Sequence, residues 1–108
     1  MLAKLTQHDF DQCLNQPFKV HLDSEQQNTE IDLELIDVQF LRESVNEGGR
    51  DQFALLFKGS CEIMLPQHTY QLENNKMGKL DIFLVPIGRE DNQNNDPTRA
   101  VIYESVFT

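Results

Sequence analysis

Two stretches decide how this chain folds: Phe18-Lys19-Val20-His21-Leu22-Asp23 and Glu30-Ile31-Asp32-Leu33-Glu34-Leu35. In each, every second residue is apolar and the ones between are charged or polar. Successive side chains of an extended chain point to opposite faces, so this alternation is the mark of a half-buried strand. Between them Ser24-Glu25-Gln26-Gln27-Asn28 reads as a polar turn. Pairing the inward sets across that turn is expected to place Leu22 opposite Ile31 and Val20 opposite Leu33. The same register sets Lys19 against Glu34 and His21 against Asp32 on the wet face, contacts of a few tenths of a kcal/mol each. At Leu35-Ile36 the apolar parity flips and continues on Val38 and Phe40. A strand that exchanges its faces needs a β-bulge or a bend, a device of orthogonal sandwiches and small barrels.

Outward from this pair the punctuation continues in the same style. Upstream, Thr6 with Asp9 three residues on forms an N-cap, Leu5 and Phe10 have the spacing of a hydrophobic staple, and Phe10, Cys13 and Leu14 form an apolar stripe. Pro17 stops continuation, so a short helix over 6–15 is expected, lying as a lid on one end of the sheet. Downstream, Asn46-Glu47-Gly48-Gly49-Arg50-Asp51 is a loop tip, and Phe53-Ala54-Leu55-Leu56-Phe57 is a strand apolar on both faces, hence central or covered by the helix. Ser60 to Leu65 takes no firm assignment. Thr69–Glu73 is a short strand closed by Asn74-Asn75 and Gly78; Leu80–Val85 is the most apolar strand. Pro86 lacks an amide proton and predicts an edge or a bulge there. Residues 88–98 read as a long loop and Val101–Phe107 as the final strand. The fold expected is all-β: an antiparallel sandwich or partly open small barrel of about six strands, with one short N-terminal helix.

Composition bounds the function. The 108 residues suit a single domain over 1–108 with its own core. Nine Lys and Arg face 18 Asp and Glu, a net charge of −9, which repels phosphate backbones and anionic lipid. Nucleic acid and membrane are therefore not expected partners. No apolar run approaches a membrane span, and no signal peptide is visible. Cys13 and Cys61 fit free thiols in a reducing compartment, hence a cytoplasmic expectation. The 18 Gln and Asn are scattered, so they read as uncharged surface and not as a prion-like tract.

No constellation meets the demands of catalysis or metal binding. Glu30, Asp32, Glu34 and Asp37 form a carboxylate ladder, but alternate strand positions lie about 6.6–6.8 Å apart and diverge. In the loop Glu90–Asp96, counting from Asp91, the sixth and twelfth positions are Asp96 and Ile102 where an EF-hand needs glycine and glutamate. Cys61, Glu62 and His68 lie close in sequence, as do His8 and Cys13, yet an acidic chain gives a thiolate little support. Cys13, on the apolar stripe, reads as a core thiol. There is no CxxC or HxH spacing, no phosphate-cradling glycine loop and no GxSxG elbow. No cofactor and no metal are expected.

The stretches Phe53–Gly59, Leu65-Pro66-Gln67-His68-Thr69-Tyr70-Gln71-Leu72-Glu73, Ile82–Gly88 and Tyr103–Phe107, with the opening from Leu5-Thr6 to Phe10 and Phe18, resemble an uncharacterised family of small bacterial proteins. The likeness covers nearly the whole chain, and its LPQ-x-x-Y-x-L-E and FLVP-[IV]-G phrases are fairly specific. It implies no assigned activity. Some members are encoded beside phage tail-collar-like proteins, which implies an accessory role in an assembly; the Asn-rich loop over 89–97 is longer than the family's usual turn.

The functional expectation is a non-enzymatic interaction or assembly module that docks a protein partner or itself. The alternative is a small-molecule or carbohydrate-binding barrel with a mouth near Tyr70 and Tyr103. Contact residues are expected at Tyr70 and Tyr103 and, on the projecting loop, at Arg89 and Asp91. A sheet edge near Pro86 is a further place for a partner strand.

Overall fold

Inward apolar positions recur on six strands, and the strands bury them by closing on themselves. The computed structural model describes residues 7–23, 28–42, 52–60, 64–89 and 100–107. These form a helix α1 (Gln7–Asp11) and strands β1 (Pro17–Asp23), β2 (Asn28–Arg42), β3 (Gln52–Gly59), β4 (His68–Asn74), β5 (Gly78–Arg89) and β6 (Val101–Phe107). The strands make a closed antiparallel barrel in the order β1-β2-β3-β6-β5-β4. The chain is thus two three-stranded meanders, and the segment after β3 crosses one end of the barrel to begin the second. Closure is made by β1 against β4, through Lys19↔Glu73, Val20↔Leu72 and His21↔Gln71. That short ladder decides against a two-sheet sandwich and against a partly open barrel.

The alternation read from β1 and β2 is present, but its register is two residues from the expected one. Val20 stands opposite Ile31 and Phe18 opposite Leu33, with Lys19 against Asp32 and His21 against Glu30. Both registers put the apolar faces inward; the observed one pairs Asp23 with Asn28 and sets Phe18 opposite Leu33, with its ring in the core edge-on to Phe57 at 5.3 Å. The parity flip at Leu35-Ile36 is a bulge: the β2–β3 register shifts between Leu35 and Asp37, and again between Phe40 and Arg42.

Pro86 also sits beside a bulge, between Pro86 and Gly88, and β5 runs on through it to Arg89. Pro86 is paired with Tyr103, so the expected open edge is absent there: closure consumes it. The strand likewise overruns the start of the expected 88–98 loop.

The helix is shorter than expected. It ends at Asp11, and residues 12–15 tighten into turns, with the Cys13 amide on the Phe10 carbonyl (2.8 Å). Asn15 takes a left-handed φ of 66°, a conformation that stops a helix. Its amide instead donates to the Leu35 carbonyl (2.7 Å), while the Leu35 amide reaches the Gln16 carbonyl (3.2 Å). The backbone groups a longer helix would have used are spent on β2. In consequence Leu14 turns outward, away from the expected stripe. Phe10 does act as a lid: it is fully buried over the stacked pair Phe53 and Phe107, whose ring centroids are 4.9 Å apart. Thr6, Leu5, the 46–51 tip and the 90–96 loop lie outside the described residues.

The interior is filled by side chains. Phe18, Val20, Leu33, Leu35, Phe53, Leu55, Phe57, Leu72, Ile82, Leu84, Val101 and Tyr103 are buried there. Gly59 shows how tight it is: a Cβ at that position would stand 2.6 Å from Leu33 Cδ2 and 3.2 Å from Tyr103 Cε2.

Candidate functional site

Of the expected contact residues, Tyr70, Tyr103 and Arg89 lie at one end of the barrel, and the two tyrosines do not present a shared mouth. Tyr103 near the start of β6 is 1% exposed, and its hydroxyl accepts the Leu65 amide at 2.8 Å. Tyr70 near the start of β4 is 8% exposed and donates its hydroxyl to the Pro66 carbonyl at 2.6 Å. Both hydroxyls therefore hold the β3–β4 crossing over the barrel end, with Leu65 as its buried plug. Burial, reinforced by Tyr103, pushes the Tyr70 phenol up from its ordinary range. Arg89 ends β5 opposite Val101, at the same end. Asp91, Cys61 and Glu62 lie outside the described residues; His68 is exposed, its ring edge-on to Tyr70 at 5.4 Å.

At the opposite end, Asn74 is a buried polar hub that sequence reading took only as a turn residue. Its Oδ1 accepts the amides of Lys76 (2.8 Å) and Met77 (3.2 Å), while its Nδ2 donates to the Pro17 carbonyl (3.1 Å). It also accepts the Cys13 thiol at 3.5 Å. The β4–β5 hairpin, which turns through Gly78 at φ 75°, is thereby fastened to the helix–β1 junction. Cys13 is 1% exposed, and burial raises its thiol pKa against the smaller lowering influence of Lys76. It is a core thiol.

Outside, the barrel has two unlike walls. The outward positions of β1, β2 and β4 are Lys19, His21, Glu30, Asp32, Glu34, Gln71 and Glu73. The His21 ring lies between two carboxylates, with Nε2 2.9 Å from Glu73 Oε1 and Nδ1 3.4 Å from Glu30 Oε2; Lys19 Nζ is 3.7 Å from Glu30. The two acids meet opposite nitrogens of the ring, so they cannot converge with it on one ion. Among the described residues no group of three or more His, Cys, Asp or Glu is arranged to hold a metal. Two open hollows flank Pro17 on this side. One, of about 330 Å³, is lined by Lys19, Asp32, Glu73 and Asn75; the other, of about 340 Å³, runs past Glu34 and Lys58 to Ser60 and Ala100.

The outward positions of β3, β6 and β5 set Ala54, Leu56, Ile102, Val106, Phe83 and Val85 among Gln52, Lys58, Glu104, Lys79 and Asp81. One row across the wall reads Asp37, Leu56, Glu104, Val85 through successive strand pairs. A second reads Gln39, Ala54, Val106, and Phe83 follows two residues from Val85 on the same side of β5. A third pairs Lys58 with Ile102 and Ile102 with Gly88, beside the bulged Ile87. Phe83, Ile87 and Val106 are 47%, 51% and 51% exposed. The sequence signal for this wall was present in the strands apolar on both faces, Phe53–Phe57 and Leu80–Val85. Of the two expectations for β3, central or covered by the helix, the first holds, with β3 between β2 and β6, and α1 lies at the barrel end on Phe53 and Phe107 as the expected lid and not over the outward side of β3.

Among the described residues no helix is long and apolar enough to cross a membrane. No curated protein and no solved structure matches the chain. A family model described as a domain of unknown function (DUF6916) matches residues 5–107, so the uncharacterised family that the sequence resembles has its counterpart in this match. Spanning all six strands and the helix, it establishes that the chain belongs to the DUF6916 family.

Proposed function

We propose that this chain is a non-enzymatic interaction module that docks a protein through the outward β3–β6–β5 wall. The observation that carries the reading is the half-exposed apolar set Phe83, Ile87 and Val106 gathered on one wall; the other exposed large hydrophobics among the described residues, Leu14, Phe40, Leu41 and Met64, lie in the turn after α1, at the end of β2 and before β4. Hydrophobic residues scattered singly on a surface need no explanation, whereas a contiguous apolar panel rimmed by polar groups marks an interaction surface. Here the panel spans three hydrogen-bonded strands, with Asp37, Gln39 and Lys58 at its margin. The closed barrel supplies a rigid support and the filled interior leaves the outside to carry recognition. The net charge of −9 disfavours nucleic acid and anionic membrane as partners, and the free thiol of Cys13 suits the cytoplasm. The family resemblance adds a setting, an accessory to a phage-tail-like assembly.

A photo-crosslinking amino acid at position 83 tests this in cells, with position 71 on the opposite wall as control. The module reading expects a discrete adduct from 83 and none from 71. Equal labelling from both, or none from either, overturns it.

A second reading, a small-molecule or carbohydrate binder, draws on the two hollows beside Pro17, whose size suits a small ligand. Amide shifts at Lys19, Asp32 and Lys58 on titration with a panel of mono- and disaccharides would favour it; their absence at millimolar sugar would remove it.

A further inference from the structure

We infer that the wall takes its partner as an extended strand, added to the edge of β5 over residues 79–83. This rests on the reading of the wall as a docking face and names the form and side-chain pattern of what docks there. The sheet registers carry it. β4 pairs with β5 over the whole run from Asn74↔Gly78 to His68↔Leu84, and β3 pairs with β6 from Gly59↔Val101 to Phe53↔Phe107. The β5–β6 ladder is shorter: it runs from Arg89↔Val101 to Val85↔Glu104 and stops. The seam is laddered at the Tyr103 end of the barrel and unladdered at the α1 end. There, among the described residues, 82–84 of β5 and 105–107 of β6 are each paired on one side only.

Parity decides which backbone groups are left over. In an antiparallel ladder, opposite residues alternate between pairs that exchange both hydrogen bonds and pairs that exchange none. Pro86 has no amide to exchange, so the bonded pair in this ladder is Val85–Glu104. Counting on by twos, the backbone groups of Phe83, Asp81 and Lys79 on β5 and of Val106 on β6 point into the seam, where the ladder gives them no partner. The side chains agree. Leu80 and Phe107 point inward yet are only partly buried, while Ile82, Leu84 and Tyr103 on the same strands are 1% exposed or less. Phe83 and Val106, which a continued ladder would set opposite each other, are about half exposed.

An unpaired edge offers donors and acceptors at strand spacing, and an extended segment is what matches them. In strand addition, main-chain bonds supply the affinity and alternate side chains the selectivity, so a broad apolar area is not needed. The charges that divide the wall then act as selectors. Lys79 already faces Glu73 across β4. Asp81 faces Gln71 and favours a basic residue on the incoming strand; Phe83, two along, favours an apolar one. The residues between these turn inward to Leu80 and Phe107 and are apolar. Running antiparallel to β5, as β4 and β6 both do, the segment has the order apolar, apolar, basic, apolar.

Amide exchange of the purified chain tests the edge, and a peptide tests its occupant. In the free chain the amides of Asp81, Phe83 and Val106 exchange within about tenfold of unstructured-peptide rates, while those of Ile82 and Leu84, which bond to β4, are protected by about a thousandfold or more. The probe is acetyl-Val-Leu-Lys-Val-Thr-amide, titrated to 5 mM against the isotope-labelled chain; it shifts and protects the edge amides. The same peptide with glutamate for lysine binds at least tenfold more weakly, as does one N-methylated at the lysine. Asp81→Lys, folded by circular dichroism, reverses the charge preference. Protection of Phe83 and Val106 equal to that of Ile82 overturns the inference, as does a probe that shifts nothing or is indifferent to N-methylation. If any of these occurs while position 83 still gives its discrete adduct in cells, the docking wall stands and only strand addition is removed.

Discussion

Replacing Asn74 by alanine tests the idea that one buried amide joins the two ends of the chain's local structure. Its side chain makes three hydrogen bonds of good length: the amides of Lys76 and Met77 into Oδ1 at 2.8 and 3.2 Å, and Nδ2 to the Pro17 carbonyl at 3.1 Å. Two longer contacts, the Cys13 thiol at 3.5 Å and Gln16 Oε1 at 3.4 Å, add little. A net hydrogen bond contributes about 1 kcal/mol, and a buried partner left unpaired costs about 1–3 kcal/mol. The Lys76 amide lies in an exposed turn where water can replace Asn74, whereas the Pro17 carbonyl and the thiol face the 3%-exposed amide itself. The sum is about 2–3 kcal/mol. For a domain of this size that lowers the melting temperature by roughly 10–20 °C. Urea unfolding followed by circular dichroism reads it as a lower midpoint at unchanged slope. Asn74→Asp keeps the acceptor and removes the donor; with a carboxylate turned on the Pro17 carbonyl it costs at least as much. If Asn74→Ala shifts stability by less than 0.5 kcal/mol, the hub is an ordinary turn residue and the reasoning fails.

Three further outcomes follow from the same geometry. Gly59→Ala forces a methyl into the space of Leu33 Cδ2 and Tyr103 Cε2, and overpacking of this kind costs about 1–3 kcal/mol; thermal melts should show it, and a neutral substitution would mean the interior is looser than its contacts. Tyr103→Phe strands the Leu65 amide beneath a buried plug and should cost more than Tyr70→Phe, which releases a carbonyl of the exposed Pro66; paired chemical denaturation decides the order, and the reverse order refutes it. Because burial raises the Cys13 thiol above its unfolded value, its contribution is fully present below about pH 8.5 and is lost as pH rises through the folded pKa. Stability should fall on the alkaline side more steeply in the wild type than in Cys13→Ala. Iodoacetamide at pH 8, followed by mass spectrometry of the Cys13 peptide, should label it far more slowly in the folded than in the unfolded chain.

The alternation of Phe18–Leu22 and Ile31–Leu35 was sufficient to specify strands and their inward faces, because a residue's side of the sheet depends only on its parity. The flip at Leu35-Ile36 was equally legible as a bulge, since no unbroken strand can bury residues of both parities in one row. Pro86 announced a ladder defect for the same local reason: it has no amide to donate. Each of these is a property of a few consecutive residues. The β1–β2 register was not, because a two-residue shift keeps the same faces inward and the local alternation is the same in both. Nor was closure legible, since three pairs between β1 and β4 join residues some fifty positions apart. The roles of Tyr70 and Tyr103 depended on where the crossing after β3 came to rest. Whether α1 would cover the outward residues of β3, β5 and β6 depended on where it came to rest: Asn15 and Gln16 after it bond to Leu35, and its one large ring, Phe10, lies at the barrel end. Local chemistry determines which way a side chain can point; only the assembled barrel decides what, if anything, it meets there.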